Sequence, residues 1–116
     1  MRLPYMSLRF PDDPLYQLIR NEKIKEFNEQ RDSVENIDFH ECDFRGLDLR
    51  GLNADGINFN GCYFRATDLR GIDFSNATLD GASLASAQIS GCYFPQNINA
   101  LEISVSVEKG IRMRGR

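Results

Sequence analysis

This sequence has a single histidine, three cysteines and no uninterrupted apolar run of eighteen residues, and each scarcity removes a class of function. Three cysteines do not make the framework of a disulfide-stapled domain. Without a long apolar run there is no candidate membrane-spanning helix, and the N-terminus shows no signal-peptide core. A soluble, cytoplasmic protein without a membrane partner is therefore the expectation. No Cys-x-x-Cys pair, Walker loop or dinucleotide fingerprint occurs, and no cofactor or metal is expected. At 116 residues the chain can hold one core.

What the sequence does contain is a period of five. Between Ile37 and Gln96 it reads IDFHE CDFRG LDLRG LNADG INFNG CYFRA TDLRG IDFSN ATLDG ASLAS AQISG CYFPQ, twelve units without an insertion. The third place is always apolar, from Phe39 and Phe44 to Ile89 and Phe94, and the first place is apolar except at Thr67. The second and fourth places are polar apart from Tyr63, Ala85, Tyr93 and Pro95, and glycine fills the fifth in seven of twelve units.

A five-residue period fits neither a helix nor a long strand. It fits a short extended piece that turns places one and three inward and places two and four outward, then rounds a corner at place five. Glycine or asparagine suits that corner, because a tight turn often needs positive φ and little bulk. Four corners close a coil of twenty residues. Coils stacked at the ~4.8 Å strand spacing would make a rod about 14 Å tall from three turns.

The units CDFRG, LDLRG, TDLRG and IDFSN resemble the pentapeptide-repeat family, whose pattern is a small residue, then Asp or Asn, then Leu or Phe, then two variable positions. The resemblance implies an all-β solenoid, a right-handed four-sided β-helix of about three coils. It also implies a bacterial cytoplasmic protein without enzymatic activity. The chain departs from the family pattern in using Ile, Leu or Cys at many first places, which should widen the early coils, whereas Ala77, Ala82 and Ala87 return to it.

A stack of coils exposes apolar core and unpaired backbone at both ends, so the flanks read as caps. The division is residues 1–36, an N-terminal segment and capping helix; 37–96, the β-helix; and 97–116, a C-terminal cap with a basic tail. Asp13 and Pro14 start a helix whose apolar stripe, Leu15, Leu18, Ile19 and Phe27, runs to about Gln30. Asn99 and Glu102 have capping-box spacing, with Ile103 and Val107 one turn apart and Gly110 as a stop. Alternating β-branched Ile103, Val105 and Val107 also suit a strand, and the spacing favours the helix. The tail arginines Arg112, Arg114 and Arg116 read as a solvated terminus.

Catalysis has no constellation to rest on. His40 occupies an outward place and Cys42 an inward one, so they do not pair as base and nucleophile. Cys42 and Cys62 stack one coil apart and read as reduced core residues. Regularly spaced Asp residues are explained by backbone bonding at corners.

The outside of the rod is where function must lie. Residues twenty apart share a face, which stacks Arg45 by Arg65 and, on the next face, Arg50 by Arg70, together with Asp43, Asp48 and Asp68. The other two faces carry Asp38, Glu41, Asp55, Asp73 and Asp80, with no lysine or arginine from the repeats. This sidedness could steer a basic partner. The stacked arginines either hold an acidic group or are neutralised by the adjacent Asp residues. Tyr63 and Tyr93 sit in outward places on opposite faces and are candidate contact residues.

The expected function is a non-enzymatic protein-interaction module, a small scaffold or adaptor presenting rigid β-helix faces to an unidentified protein partner. Two copies could also associate through a cap. Direct binding of nucleic acid is not expected. The alternative, implied by resemblance to relatives that confer quinolone resistance, is a DNA-mimicking modulator or protector of a type II topoisomerase.

Overall fold

A computed structural model describes residues 9–116. Residues 1–8, including the stretch read above for a leader, lie outside the described residues. The element order is α1 (Pro14–Arg20), α2 (Ile24–Gln30), a short 3-10 turn (Arg31–Ser33), the repeats, and α3 (Ala100–Lys109).

Within the repeats, second-place residues form parallel bridges with the residue twenty positions on, at every pair except Asn53 and Asp73. Asp38 pairs with Asn58 and Asn58 with Thr78; Asp43 with Tyr63 and Tyr63 with Ser83; Asp48 with Asp68 and Asp68 with Gln88; Asp73 with Tyr93. The backbone bonds have the slanted register of parallel strands: Phe39 N–H donates to Asn58 O at 2.8 Å, and Asn58 N–H to Ile37 O at 3.0 Å. The offset of twenty makes four units to a coil, and the result is a β-helix solenoid. Its pairings are isolated bridges because a corner interrupts every unit before a strand can grow.

At the corners a place-one amide donates back to the preceding place-three carbonyl, as from Cys42 to Phe39 and from Leu52 to Leu49, both at 3.0 Å; Leu47 is the exception, its amide directed at the Thr67 hydroxyl. The fifth residue then takes positive φ, from 71° at Gly46 to 86° at Gly51. Glu41, Ala66 and Ser86 adopt the same left-handed conformation despite their Cβ. All seven glycines of the fifth place take it; Asn76 does not.

Places one and three fill the interior. Phe39, Phe44, Phe59, Phe64 and Phe74 are fully buried. Successive coils stack ring on ring, Phe44 over Phe64 at 5.5 Å and Phe74 over Phe94 at 6.0 Å, while neighbouring units meet edge to face, as Phe59 and Phe64 do at 5.6 Å. Thr67, the polar exception at place one, is buried and donates its hydroxyl to Phe44 O. All three cysteines are free thiols, and the Cys62 Sγ–H donates to Phe39 O at 2.8 Å. Burial pushes Cys42 up to about 11, with the Arg9 guanidinium pulling the other way, and Cys62 well above the usual thiol range. Both thiols are thus kept protonated and unreactive.

The N-terminal cap differs from the single helix expected over Pro14–Gln30. Asp13 caps α1 by accepting from Leu15 N–H at 2.9 Å, but the helix ends at Arg20 and Glu22 takes a φ of 59° before α2 begins. A straight helix of that length would extend ~25 Å and cross the coil's open end. The bend lets both helices follow its rim and dip an aromatic ring into it. Tyr16 lies 5.3 Å from Phe44, and Phe27 lies 6.2 Å from Phe39. The polar side chains then satisfy the rim in chain order. Tyr16 donates to Asp43 O, Arg20 to Arg45 O, Asn28 to Gly51 O and Arg31 to Asn53 O, while Glu22 accepts from Asp48 N–H and Asn28 from Asn53 N–H.

At the other end α3 is a helix, capped by Asn99, which accepts from Glu102 N–H at 3.0 Å, and closed by left-handed Gly110. It covers the last coil, with Ser106 Oγ accepting from Leu84 N–H at 2.8 Å and Val107 O from Ser86 N–H at 2.9 Å. The tail is not a solvated terminus. Met113 is 1% exposed and pairs like a further coil, donating to Ala82 O at 2.9 Å and accepting from Gly81 N–H at 2.7 Å. The β-helix solenoid is flanked by helices at both ends, α1 and α2 before the repeats and α3 after them. No helix among the described residues is long and apolar enough to cross a membrane.

Candidate functional site on the charged rows

Residues twenty apart stack in rows along the solenoid, so a local motif can recur from coil to coil, as Asp48-x-Arg50 does at Asp68-x-Arg70. Where Asp occupies place two and Arg place four, the carboxylate grips the arginine three times. Arg45 donates to Asp43 through its backbone amide at 2.9 Å, its Nε at 2.8 Å and its Nη2 at 2.6 Å. Arg50 holds Asp48 and Arg70 holds Asp68 in the same fork. Arg50 Nε also lies 3.4 Å from Asp68, tying the two coils together. The internal neutralisation anticipated for these arginines is therefore present at Arg45, Arg50 and Arg70. The bonds from Arg50 lower Asp48 to about 2. At Asp43 burial pushes the carboxyl up, but the bonds from Arg45 outweigh it and the net direction is down.

Asp43 corrects the assignment of second places to solvent. It is 2% exposed, because Arg45 folds over it and the Arg9 backbone pairs against it, donating from Asp43 N–H to Arg9 O. Tyr63 is corrected as well. Its ring lies beneath the Arg112 guanidinium, 4.7 Å from carbon to centroid, so the ring face is occupied. Arg112 also donates to Gly61 O at 3.2 Å and Gly81 O at 2.8 Å.

The acidic side reads differently once the caps are in place. Asp38 accepts from His40 N–H at 3.0 Å and lies 2.9 Å from its Nδ1, and the backbone amide bond from His40 is the main cause lowering its carboxyl. Arg9 reaches the same corner through His40 O at 2.8 Å. Glu41 sits at a left-handed corner, and a Cβ on Gly61 would meet its side chain, with Arg112 just beyond. Asp80 accepts from Asn97 Nδ2 at 3.0 Å and lies against Gly115. Arg31 enters on the fourth row at Asn53. The acidic side is thus supplied with arginines from segments distant in sequence, which a count over the repeats alone missed. Asp38, Asp55, Asp73 and Asp80 are all exposed; Asp55 and Asp73 share the fourth row, and Tyr93, 68% exposed, is bridged to Asp73. The structure keeps Tyr93 as an accessible tyrosine, on the row opposite Tyr63.

His40 and Cys42 both approach Arg9, whose Nη2 is 3.5 Å from the His40 Nδ1 and 3.7 Å from the Cys42 Sγ. The described residues contain no group of three or more His, Cys, Asp or Glu placed to hold a metal ion.

No curated protein and no solved structure matches this chain. The family description "Pentapeptide repeats" matches residues 33–61 and 57–94 in eight copies, covering more than half of the sequence and coinciding with the bridged coils. By its five-residue places, its twenty-residue pairing register and this match, the chain belongs to the pentapeptide-repeat family.

Proposed function

We propose that this protein is a non-enzymatic interaction module: a right-handed, four-sided coil of about three turns that presents rigid rows to a protein partner. The observation that carries the reading is the row bearing Asp55, Asp73 and Tyr93. An exposed tyrosine bridged to an exposed aspartate, on a backbone fixed by coil pairing, combines a low-entropy aromatic contact with a charge for steering. The filled interior and the bonded rims leave the outer rows as the contact surface. Association of two copies through a cap is compatible with this use of the rows. The topoisomerase-directed, DNA-mimicking alternative has less support, since arginines are interleaved with the carboxylates on two rows and caps bring more to the others.

The test is affinity capture from host lysate with the wild type and a D55K/D73K variant, with light scattering for mass. A specific protein retained by the wild type and lost by the variant is expected. Equal retention by both, or no specific protein on either, would overturn the reading. A topoisomerase lost on reversal would transfer support to the alternative.

A further inference from the structure

The C-terminal cap bonds part of the last coil and leaves the edge of one row free. The third row is built from residues 47–51, 67–71 and 87–91. Its middle unit pairs with its last in a fixed register: Leu69 N–H donates to Gln88 O and Gly71 N–H to Ser90 O, both at 2.9 Å, while Gln88 N–H donates to Thr67 O at 3.0 Å. By that register residues 87–91 offer a following strand two donors, Ile89 N–H and Gly91 N–H, and one acceptor, Ala87 O. None of the three has a partner among the described residues. The first and second rows of the same coil, residues 77–81 and 82–86, differ. There Gly81 N–H and Ala82 O pair with Met113, Leu84 N–H with Ser106 Oγ and Ser86 N–H with Val107 O.

Side-chain burial divides at the same place. Leu79 and Leu84, the inward third-place residues of the first two rows in the last coil, are fully buried. Ile89 and Phe94, their counterparts on the third and fourth rows, are only partly buried, as is Cys92. A backbone edge and the apolar strip beside it are therefore open together, and an unpaired strand edge is a template for another chain. The tail shows what such an edge takes. Beside α3, the stretch of chain around Met113 pairs with the rim and buries the methionine side chain. A second copy offering the same edge does not fit, because α3 lies over the last coil and a helix is about 10 Å thick, whereas paired strands stand ~4.8 Å apart.

We propose that the third-row edge, residues 87–91, is a pairing site for an extended segment of a partner protein, which adds to the solenoid as a further strand parallel to the coil. In that register one residue of the segment donates its N–H to Ala87 O and accepts from Ile89 N–H, and the residue two further on accepts from Gly91 N–H. The residue between them points inward over Ile89 and is apolar, so the segment alternates polar and apolar side chains. Gln88 and Ser90, on the outer side of the edge, are uncharged, so pairing desolvates no ion there. The proposal deepens the interaction-module reading and rests on it for the existence of a partner; pairing at the edge can be measured without one.

The experiment is amide hydrogen exchange read by NMR on the full chain, alone and with a saturating peptide that copies residues 67–76, whose third-row part already pairs with this strand from the other side. In the free protein the Ile89 and Gly91 amides should exchange at least tenfold faster than those of Leu69 and Gly71, which are bonded. The peptide should slow Ile89 and Gly91 at least tenfold, with a smaller effect at Leu69 and Gly71. N-methylation of the peptide at its Asp68 position removes the donor to Ala87 O and should weaken binding at least tenfold. The same change at its Leu69 position, whose N–H points away from the edge, should not. Equal binding of the two methylated peptides, binding without slowing of either amide, or no binding would overturn the proposal. Protection of Ile89 and Gly91 in the free chain would also overturn it, in favour of a second copy where protection rises with protein concentration and of an edge already covered where it does not. A partner captured from lysate, with no peptide effect at the two amides, sinks this inference alone; peptide pairing with no captured protein sinks the interaction-module reading and leaves the pairing edge standing.

Discussion

At the scale of single residues, the repeat writes its own control experiments, because the same place occurs many times with different side chains. Ala66 holds the left-handed corner at a φ of 57°, where seven other units use glycine. The Cβ penalty in that region is roughly 1–2 kcal/mol, partly offset by the greater unfolded-state freedom of glycine. Ala66→Gly should therefore stabilise the protein by about 0.5–1 kcal/mol in urea unfolding. Lower stability would mean that the methyl group packs to an advantage the corner geometry does not suggest. Acid sensitivity is the second residue-level consequence. The Asp48 carboxyl is lowered from its ordinary 3.8 to about 2 by its bonds from Arg50. A depressed carboxyl contributes stability that is complete above the unfolded value and is lost as pH falls through the folded one. The contribution should therefore disappear between pH 3.8 and about 2. Asp48 is nearly half exposed, so solvent screening limits its share to a few tenths of a kcal/mol. Melting temperature should be flat near neutrality and fall over that acid window, and Asp48→Asn should make the fall shallower. An identical acid limb in the variant would remove the Arg50 bond from the account.

At the scale of elements, what could be read in the sequence divides along contact distance. The inward and outward places and the glycine corners were legible because each unit reports the same local geometry. The capping box at Asn99 and the stop at Gly110 were legible because both act within one turn of helix. The break between α1 and α2 was not, since it follows from the curvature of a rim that lies more than twenty residues away in sequence. The burial of Asp43, the covering of Tyr63 and the docking of the tail were hidden for the same reason; Arg112 and Gly61 are 51 residues apart. The candidate site inherits this split, with the paired arginines foreseeable from Asp two residues before them and the cap arginines not. The tail also makes a firm prediction at this scale. Met113 is buried and its backbone continues the coil pairing at Gly81 and Ala82. Met113→Ala should cost about 2–3 kcal/mol in chemical denaturation, within the range for truncating a buried methionine. It should also speed hydrogen exchange at the Gly81 amide, which donates to Met113 O. An unchanged midpoint with unchanged exchange would show the tail to be detached in solution.

At the scale of the whole molecule, the solenoid has to be closed at both ends, and its two caps do so by different routes. At the C-terminal end the chain finishes the job with coil-like pairing from Met113 and a helix laid over the last core layer. At the N-terminal end a bent pair of helices supplies side chains where a coil would supply backbone, bonding the rim from Asp43 round to Asn53. A coil stack has no intrinsic register stop, so each bonded rim is also what keeps one molecule from templating the next. Removing residues 1–33 would uncover Phe39 and Phe44, which Tyr16 and Phe27 now cover, and leave the rim groups at Asp43, Arg45, Asp48, Gly51 and Asn53 without their cap partners. The truncated chain should then self-associate with a mass that rises with concentration in light scattering. The milder Tyr16→Ala, which keeps the cap but deletes its buried ring and its bond to Asp43 O, should lose about 3–5 kcal/mol without associating below its melting transition. Comparing the two separates what the cap contributes to stability from what it contributes to solubility. A truncated chain that stays folded and monomeric at high concentration would mean that the rim is protected by something other than the helices, and the account of this fold as a stack kept finite by its caps would fail.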